Sequence, residues 1–203
     1  MHKIDSIFPF PIYRSNIKQD FNEHDIDYIK NQKQKSNANE GNFTSQENYL
    51  LDKEQLIHLK KKLMIHVNNY FNKVLCASNK VTPYITQSWV NFTTLNQNHH
   101  YHSHSNSIVS GVLYLVADKK YDKIMFHKEN RDQIELKAKE FNLYNSGSWG
   151  FDVDQGDLFM FPSTLAHSVP RKSDDNVRIS LAFNVFVKGV LGRTNDLNEL
   201  FIQ

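Results

Sequence analysis

The spacing of hydrophobic residues along this chain changes near Pro83. Between about Asp52 and Cys76, apolar residues recur at intervals of three and four, which predicts an amphipathic helix with one buried face. The apolar positions of this segment are Leu56, Leu59, Leu63, Val67, Tyr70, Phe71 and Val74. A shorter helix is expected over residues 20–33, with Asp20 as its N-cap and with Ile26 and Ile29 on one face.

After Pro83 the hydrophobic period is two, and the residues are rich in β-branched and aromatic types. This pattern predicts strands, and turn-forming residues separate them. The predicted strands are 88–94, 108–116, 123–127, 157–161 and 177–187. Several short strands without helical segments between them indicate an antiparallel sandwich or barrel. We therefore expect one domain over residues 1–203, with a helical part at 1–80 and a β-core at 81–203.

Composition narrows the class of protein. The chain has 203 residues, with 24 Lys and Arg against 22 Asp and Glu. Its net charge of +2 does not indicate the strongly basic surface that is typical of nucleic-acid-binding proteins. A single cysteine, Cys76, excludes an intramolecular disulfide framework and a multi-cysteine zinc site. No apolar run approaches about 18 residues, so we expect a soluble, cytoplasmic protein without a membrane signal. The oligomeric state stays open, and a homo-oligomer is one possibility.

Histidine is concentrated in one short stretch. Four of the ten histidines lie within six residues, at His99, His100, His102 and His104. In an extended chain, residues two apart share a face, so His102 and His104 can meet at one point. Imidazoles bind Fe(II), Zn and Ni well, and His167, which follows a buried strand and a Pro162 turn, would supply a third ligand. His99 and His100 are expected to belong to the loop that approaches this site.

The last predicted strand carries an arginine among polar residues. Alternation places Arg178, Ser180, Ala182 and Asn184 on one face of the strand. A buried arginine is costly unless an anion meets it, and a carboxylate-bearing cosubstrate would be such an anion. Taken one at a time, these features also have purely structural interpretations. The histidines could form a solvated loop, His167 could be a hydrogen-bonded structural residue, and Arg178 could pair with Asp174 or Asp175.

Taken in order, these stretches make the sequence resemble the Fe(II)- and 2-oxoglutarate-dependent oxygenases. The nearer resemblance is to a family of 2OG-Fe(II) oxygenases found in bacteria and phages. The matching residues are 7–9, 12–13, 88–91, 102–114, 156–157, 161–163, His167 and 178–184. The resemblance implies a mainly β fold, a double-stranded β-helix (jelly roll) with N-terminal helices packed on it.

The resemblance also implies the roles of individual residues. Fe(II) would be bound by His102, His104 and His167, and 2-oxoglutarate would be the cosubstrate. Arg178 would hold the 5-carboxylate of 2-oxoglutarate, for which Lys would be a poor substitute. The other residues expected to bind or orient the cosubstrate are Ser180, Tyr114, Asn91 and Asn184. Trp89 is expected in the core.

The chain departs from the superfamily pattern at one ligand. The usual proximal pair is His-x-Asp/Glu, whereas this chain has His102-Ser-His104. Either His104 takes the place of the carboxylate, which we favour, or His104 is the proximal histidine and Asn106 occupies the carboxylate position. The second arrangement has two protein ligands and would resemble superfamily halogenases, so halogenation stays open beside hydroxylation.

The function expected from the sequence is therefore a dioxygenase that converts 2-oxoglutarate to succinate and CO2 while hydroxylating an unidentified substrate. The loop at 31–48 and the stretch at 127–145 are expected to frame the mouth of its cleft. Two alternatives remain at this point. One is a cupin-like metal enzyme that does not use 2-oxoglutarate, and the other is a non-catalytic jelly-roll binding protein.

Overall fold

The computed structural model describes residues 2–78, 80–129, 134 and 136–203. Two α-helices lie in the first third of the chain: α1 (Glu23–Asn31) and α2 (Ile57–Lys73). Strands account for much of the rest. In chain order they are β1 (Tyr13–Asn16), β2 (Ser36–Ala38), β3 (Phe43–Ser45), β4 (Val81–Thr93), β5 (His99–His102), β6 (Val109–Val116), β7 (Lys123–His127), β8 (Ser148–Asp152), β9 (Asp157–Pro162), β10 (His167–Val169), β11 (Arg178–Leu191) and β12 (Leu200–Ile202).

The strands form two antiparallel sheets. Within the described ranges, the larger sheet has the order β1-β9-β6-β11-β4-β3-β2, with β12 added to the far end of β11. The smaller sheet has the order β5-β10-β7-β8. Apart from the paired strands β7 and β8, consecutive strands from β4 to β11 alternate between the two sheets, which is the arrangement of a jelly roll. The predicted mainly β jelly roll with N-terminal helices is confirmed.

The larger sheet separates two hydrophobic cores. Helix α2 packs against its outer face through the stripe that the three- and four-residue spacing predicted. The buried residues of α2 are Leu59, Leu63, Val67, Tyr70 and Phe71. On β11, Leu181 and Phe183 point into this outer core. A second core lies inside the jelly roll, where Phe126 of the smaller sheet packs against Phe161 of the larger sheet.

The N-terminal third differs from the sequence prediction in two places. Helix α1 is capped by the side chain of Asn22, which accepts a hydrogen bond from the backbone N–H of Asp25 at 2.6 Å, so the prediction of Asp20 as N-cap was wrong. Asp20 ends a 3-10 turn, and the backbone after it is extended. The segment expected to be a loop contains β2 and β3, which form a hairpin that pairs with β4 through Thr44. Most residues of the hairpin are polar, so the sequence shows no hydrophobic alternation that would predict these strands.

No helix in the described ranges is long and apolar enough to cross a membrane. Of the stretch 127–145 that was expected to frame the cleft, residues 130–133 and 135 lie outside the described residues.

We predict that Gly111→Ala destabilises the fold. A Cβ at Gly111 would lie 2.2 Å from Cζ of Phe183, whose ring is fully buried in the outer core and has no room to move. Overpacking of this kind costs about 1–3 kcal/mol of unfolding free energy. Guanidinium denaturation measures the loss, and Gly147→Ala is the matched control because a Cβ there meets no atom within 4 Å. Equal stability of the two variants would contradict the packing described.

Candidate metal centre

Three histidines meet where β5 lies against β10. His102 at the end of β5 is directly opposite His167 at the start of β10. His104 follows β5, and its backbone N–H donates to the carbonyl of Ser163 at 2.9 Å, which anchors it beside the other two. One ring nitrogen from each of the three lies within 4.8 Å of the others. We refer to His102, His104 and His167 as the inner triad.

Two rings of the inner triad, those of His102 and His167, are held so that their Nε2 atoms are available. Nδ1 of His167 donates to the carbonyl of Leu165 at 3.1 Å, and Nδ1 of His102 donates to the carbonyl of His100 at 2.9 Å. Metal-binding histidines are usually fixed in this way at the nitrogen that does not bind the metal. The Nε2 atoms of His104 and His167 are 3.4 Å apart. Two nitrogens that bind one ion at about 2.1 Å lie about 3–3.4 Å apart, so this spacing suits a shared metal ion.

Burial keeps these imidazoles neutral. It lowers the pKa of His167 to about 2 and the pKa of His104 to about 4, and it also lowers the pKa of His102. The neighbouring histidines add to the shift for His104 and His167, because a charge on one ring disfavours a charge on the next. The rings are therefore uncharged at neutral pH, with lone pairs free to bind a cation.

A hydrogen-bonded group behind the inner triad supports His104. Asn184 forms a side-chain hydrogen bond with His104, and its Oδ1 accepts from Ser110 Oγ at 2.9 Å. Ser110 in turn contacts Ser163 Oγ at 2.9 Å. On the other side, the indole of Trp89 stacks on the His104 ring with centroids 5.7 Å apart. Trp89 is half-buried and lines a cavity, so its assignment to the core was wrong.

The buried guanidinium of Arg178 is paired with a carboxylate of the same chain. Arg178 is 3% exposed, and its Nη1 lies 3.4 Å from Oδ1 of Asp122. The fully buried Lys172 shares this carboxylate, with Nζ at 3.0 Å from Oδ1 and 3.3 Å from Oδ2. The sequence offered Asp174 or Asp175 as partners of Arg178. Instead, Asp174 pairs with Lys172.

Unsatisfied polar atoms lie close to Arg178. In the ladder between β4 and β11, Arg178 is opposite Thr93 and Ser180 is opposite Asn91. Thr93 Oγ1 and Asn91 Oδ1 are buried without a hydrogen-bond partner among the described residues. Buried polar atoms normally have partners, so this end of the jelly roll suits a polar ligand. Tyr114 lies opposite Ser180 on the other side of β11, and burial raises the pKa of its hydroxyl, which keeps it a proton donor.

A cavity of about 280 Å³ opens beside the inner triad. The hairpin of β2 and β3 forms one wall. The residues around the cavity are Asn39, Thr44, Asn48, Gln87, Trp89, His99, His102 and His104. Apart from the histidines, the described part of this lining consists of amides, a hydroxyl and an indole, without a charged side chain.

The structure brings most of the predicted site residues into two adjacent groups. His102, His104 and His167 form the first, with Asn184 beside them. The second surrounds Arg178 on β11 and its neighbouring strands, and it contains Ser180, Tyr114 and Asn91. Asn106, the alternative occupant of the carboxylate position, is exposed in a turn with a φ of 54°.

Sequence reasoning missed several neighbours of these groups. Asp122 and Lys172 are 50 residues apart in a turn and a loop, and no spacing pattern links them. Thr93 could have been found, because alternation along β4 puts it on the same face as Asn91. His99 and His100 were assigned to a loop, but they belong to β5.

The structural comparisons point to one fold. The chain resembles an oxidoreductase of the 2OG-Fe(II) oxygenase family from Burkholderia pseudomallei, with a TM-score of 0.59 and 10% identity over 86% of this chain and 83% of that one. It also resembles HygX from Streptomyces hygroscopicus, whose structure contains nickel, 2-oxoglutarate and hygromycin B. That match has a TM-score of 0.57 and 11% identity over 86% of this chain and 82% of that one.

A viral collagen prolyl hydroxylase from Paramecium bursaria Chlorella virus-1, crystallised with 2-oxoglutarate, is similar at a TM-score of 0.52 and 13% identity. That match covers 85% of this chain and 95% of the viral one. No curated protein matches the chain significantly. These three proteins therefore share the jelly-roll fold of this chain.

The family model described as "Putative 2OG-Fe(II) oxygenase" matches residues 87–184, which run from β4 into β11 and include both groups of site residues. The match supports a 2-oxoglutarate-dependent non-haem iron oxygenase, and the resemblance predicted from the motifs of the chain is confirmed. Fe(II) and 2-oxoglutarate are the cofactor and cosubstrate of the class. The match favours this function over the cupin-like and non-catalytic alternatives.

We predict that Asp122→Asn strongly destabilises the protein. The change leaves Lys172 and Arg178 buried without their shared counter-charge, and breaking a buried ion pair in this way costs about 3–5 kcal/mol. Urea denaturation measures the loss. The matched control is Asp152→Asn, which breaks the exposed pair with Lys123 and should cost no more than about 1 kcal/mol. Similar small losses for both variants would show that Asp122 does not balance these charges.

Proposed function

We propose that the protein hydroxylates its substrate with Fe(II) held by the inner triad and 2-oxoglutarate held by Arg178. The observation that carries this proposal is the convergence of three neutral imidazoles, two of them fixed at Nδ1 by backbone carbonyls. When bound, iron and 2-oxoglutarate supply an oxidation that releases succinate and CO2. The protein contributes the binding, the orientation and the exclusion of water.

Arg178 is the residue proposed to bind the 5-carboxylate of 2-oxoglutarate. Its contact with Asp122 is a single one through Nη1, so the guanidinium retains other N–H donors for a second carboxylate. Ser180 and Tyr114 lie opposite each other on adjacent strands and would add hydroxyl donors. Asn91 and Thr93, unpartnered at the same end of the barrel, would complete the polar contacts.

His104 is proposed as the third metal ligand, which favours hydroxylation over halogenation. Its ring nitrogen lies with those of His102 and His167, whereas Asn106 is exposed. With His104 in the carboxylate position, that position is not left vacant for a halide. Asn184 is proposed to act through His104, because it holds the ring by a side-chain hydrogen bond.

The substrate is proposed to be a neutral molecule with hydroxyl or amide groups. The cavity beside the inner triad offers Asn39, Asn48, Gln87 and Thr44 as hydrogen-bonding groups and Trp89 as a flat apolar surface. Among the residues that the structure describes, no Lys, Arg, Asp or Glu lines this cavity, which favours an uncharged substrate. HygX, which shares the fold, was crystallised with hygromycin B.

We predict that the protein with Fe(II) and ascorbate releases succinate slowly from 2-oxoglutarate even without substrate, and that 2-oxoglutarate with Mn(II) raises the melting temperature. In Arg178→Gln, metal stoichiometry should be unchanged, while 2-oxoglutarate binds about 10- to 100-fold more weakly, because charge-assisted hydrogen bonds are lost. Calorimetric titration and succinate quantification measure both effects.

The control variant is Arg171→Gln, which removes an exposed arginine close in sequence. It should bind 2-oxoglutarate as the unaltered protein does. If succinate is not released and 2-oxoglutarate leaves the melting temperature unchanged, the proposed function is wrong. If Arg178→Gln binds 2-oxoglutarate normally, the cosubstrate assignment is wrong.

A further inference from the structure

A second group of three histidines lies beside the inner triad and shares one member with it. One ring nitrogen from each of His99, His100 and His102 lies within 4.8 Å of the others. The ring centroids are 4.6 Å apart for His99 and His102, 4.8 Å for His100 and His102, and 5.1 Å for His99 and His100. We refer to these three residues as the outer triad.

An irregularity in β5 produces this grouping. His102 pairs with His167, and His99 pairs with Val169. Between these two pairs the chain advances by three residues on β5 but by only two on β10, so β5 has one extra residue. An extra residue of this kind is a β-bulge, and it breaks the alternation of side chains along a strand. His99, His100 and His102 consequently lie together, while Tyr101 packs against the ring of His127 with centroids 5.0 Å apart.

Each ring of the outer triad has a neighbour at Nδ1. The side-chain amide of Asn42 lies 3.4 Å from Nδ1 of His99, and the carbonyl of Glu40 lies 3.4 Å from Nδ1 of His100. Nδ1 of His102 is bound to the carbonyl of His100, as described above. Nε2 is therefore the nitrogen that His100 and His102 have left for a metal ion, as in known metal-binding histidines. Nδ1 of His99 instead accepts from the amide N–H of Asn42, so His99 binds a metal ion through Nε2 after its proton moves to Nδ1.

The outer triad is also the more accessible of the two. The side chain of His100 is 30% exposed, whereas His167 of the inner triad is 7% exposed. A carboxylate lies beside this site, with Oε2 of Glu40 at 3.9 Å from Nδ1 of His100. A site of imidazoles with little carboxylate suits Ni²⁺, Zn²⁺ or Cu²⁺ and does not suit Mg²⁺ or Ca²⁺.

We propose that His99, His100 and His102 form a second binding site for one imidazole-preferring divalent metal ion. Because Nδ1 of His102 is engaged, its Nε2 serves either the outer triad or the inner triad, and the two sites cannot both be complete. An ion in the outer site therefore withdraws a ligand from the inner site and competes with the loading of iron. Only this last step rests on the proposed function, since metal binding by the outer triad does not require it.

The test uses Ni²⁺ as the probe and the full chain after treatment with a chelator. In His104→Gln/His167→Gln, the inner triad is lost and the outer triad is intact, so calorimetry should show one bound Ni²⁺. Adding His99→Gln and His100→Gln should weaken this binding by at least about tenfold. Adding His58→Gln instead, which removes an exposed histidine on α2, should leave it unchanged.

The proposal is overturned if the double variant, folded by circular dichroism, binds no Ni²⁺, or if the quadruple variant binds it as tightly as the double variant. Should the double variant not fold, the single variant His104→Gln takes its place, because it lacks a complete inner triad and keeps the outer triad. We expect it to bind one Ni²⁺, and we expect the addition of His99→Gln and His100→Gln to weaken this binding by at least about tenfold. A single variant that binds no Ni²⁺, or whose binding these two changes leave unaltered, also overturns the proposal.

These outcomes are separate from those that test the proposed function. If the protein releases no succinate, the proposed function fails, but calorimetry still measures whether the outer triad binds Ni²⁺. Conversely, a protein that uses 2-oxoglutarate normally but binds no Ni²⁺ in the double variant keeps its proposed function and loses only the outer site.

Discussion

The central physical constraint in this protein is the placement of two buried cations at one end of a jelly roll. Lys172 and Arg178 are 1% and 3% exposed, and a charge at such a position needs a counter-charge. Asp122 supplies it to both. The three residues belong to the loop after β10, the start of β11 and the turn before β7, so the shared carboxylate ties together three segments distant in sequence. The carboxylate of Asp122 thereby stabilises both cations at this polar end of the barrel.

The sequence predicted the parts of the fold that depend on periodicity. The change of period near Pro83 separated α2 from the strands, and β7 was predicted with its observed bounds. The inner triad and Arg178 could be proposed as site residues because a close pair of candidate ligands, a distant histidine and an arginine follow one another along the chain in the order that 2OG-Fe(II) oxygenases have. The pairing of Asp122 with Lys172 and Arg178 could not, because it joins residues 50 and 56 positions apart without any regular spacing. The outer triad depends on a bulge in β5, and a bulge follows from strand pairing rather than from local sequence.

The two faces of β11 explain how one strand can serve both stability and chemistry. Residues such as Leu181 and Phe183 face the helices and are fully buried in the outer core. The alternate residues, Arg178, Ser180 and Asn184, face the inside of the jelly roll. Because β11 is held between β4 and β6 along most of its length, the positions of its site residues are set by backbone pairing. Packing of the helices against one face therefore fixes the geometry of the other.

The hairpin of β2 and β3 has a consequence for the evolution of this protein. It is joined to β4 through backbone pairing, while its side chains, such as Thr44, and the neighbouring Asn39 line the cavity. Backbone pairing tolerates many side chains, so residues of this hairpin can be exchanged without loss of the sheet. The histidines and Arg178 lie on other strands and are untouched by such exchanges. Under the proposal that this cavity binds the substrate, substrate preference can therefore change through the hairpin while the inner triad and Arg178 stay in place.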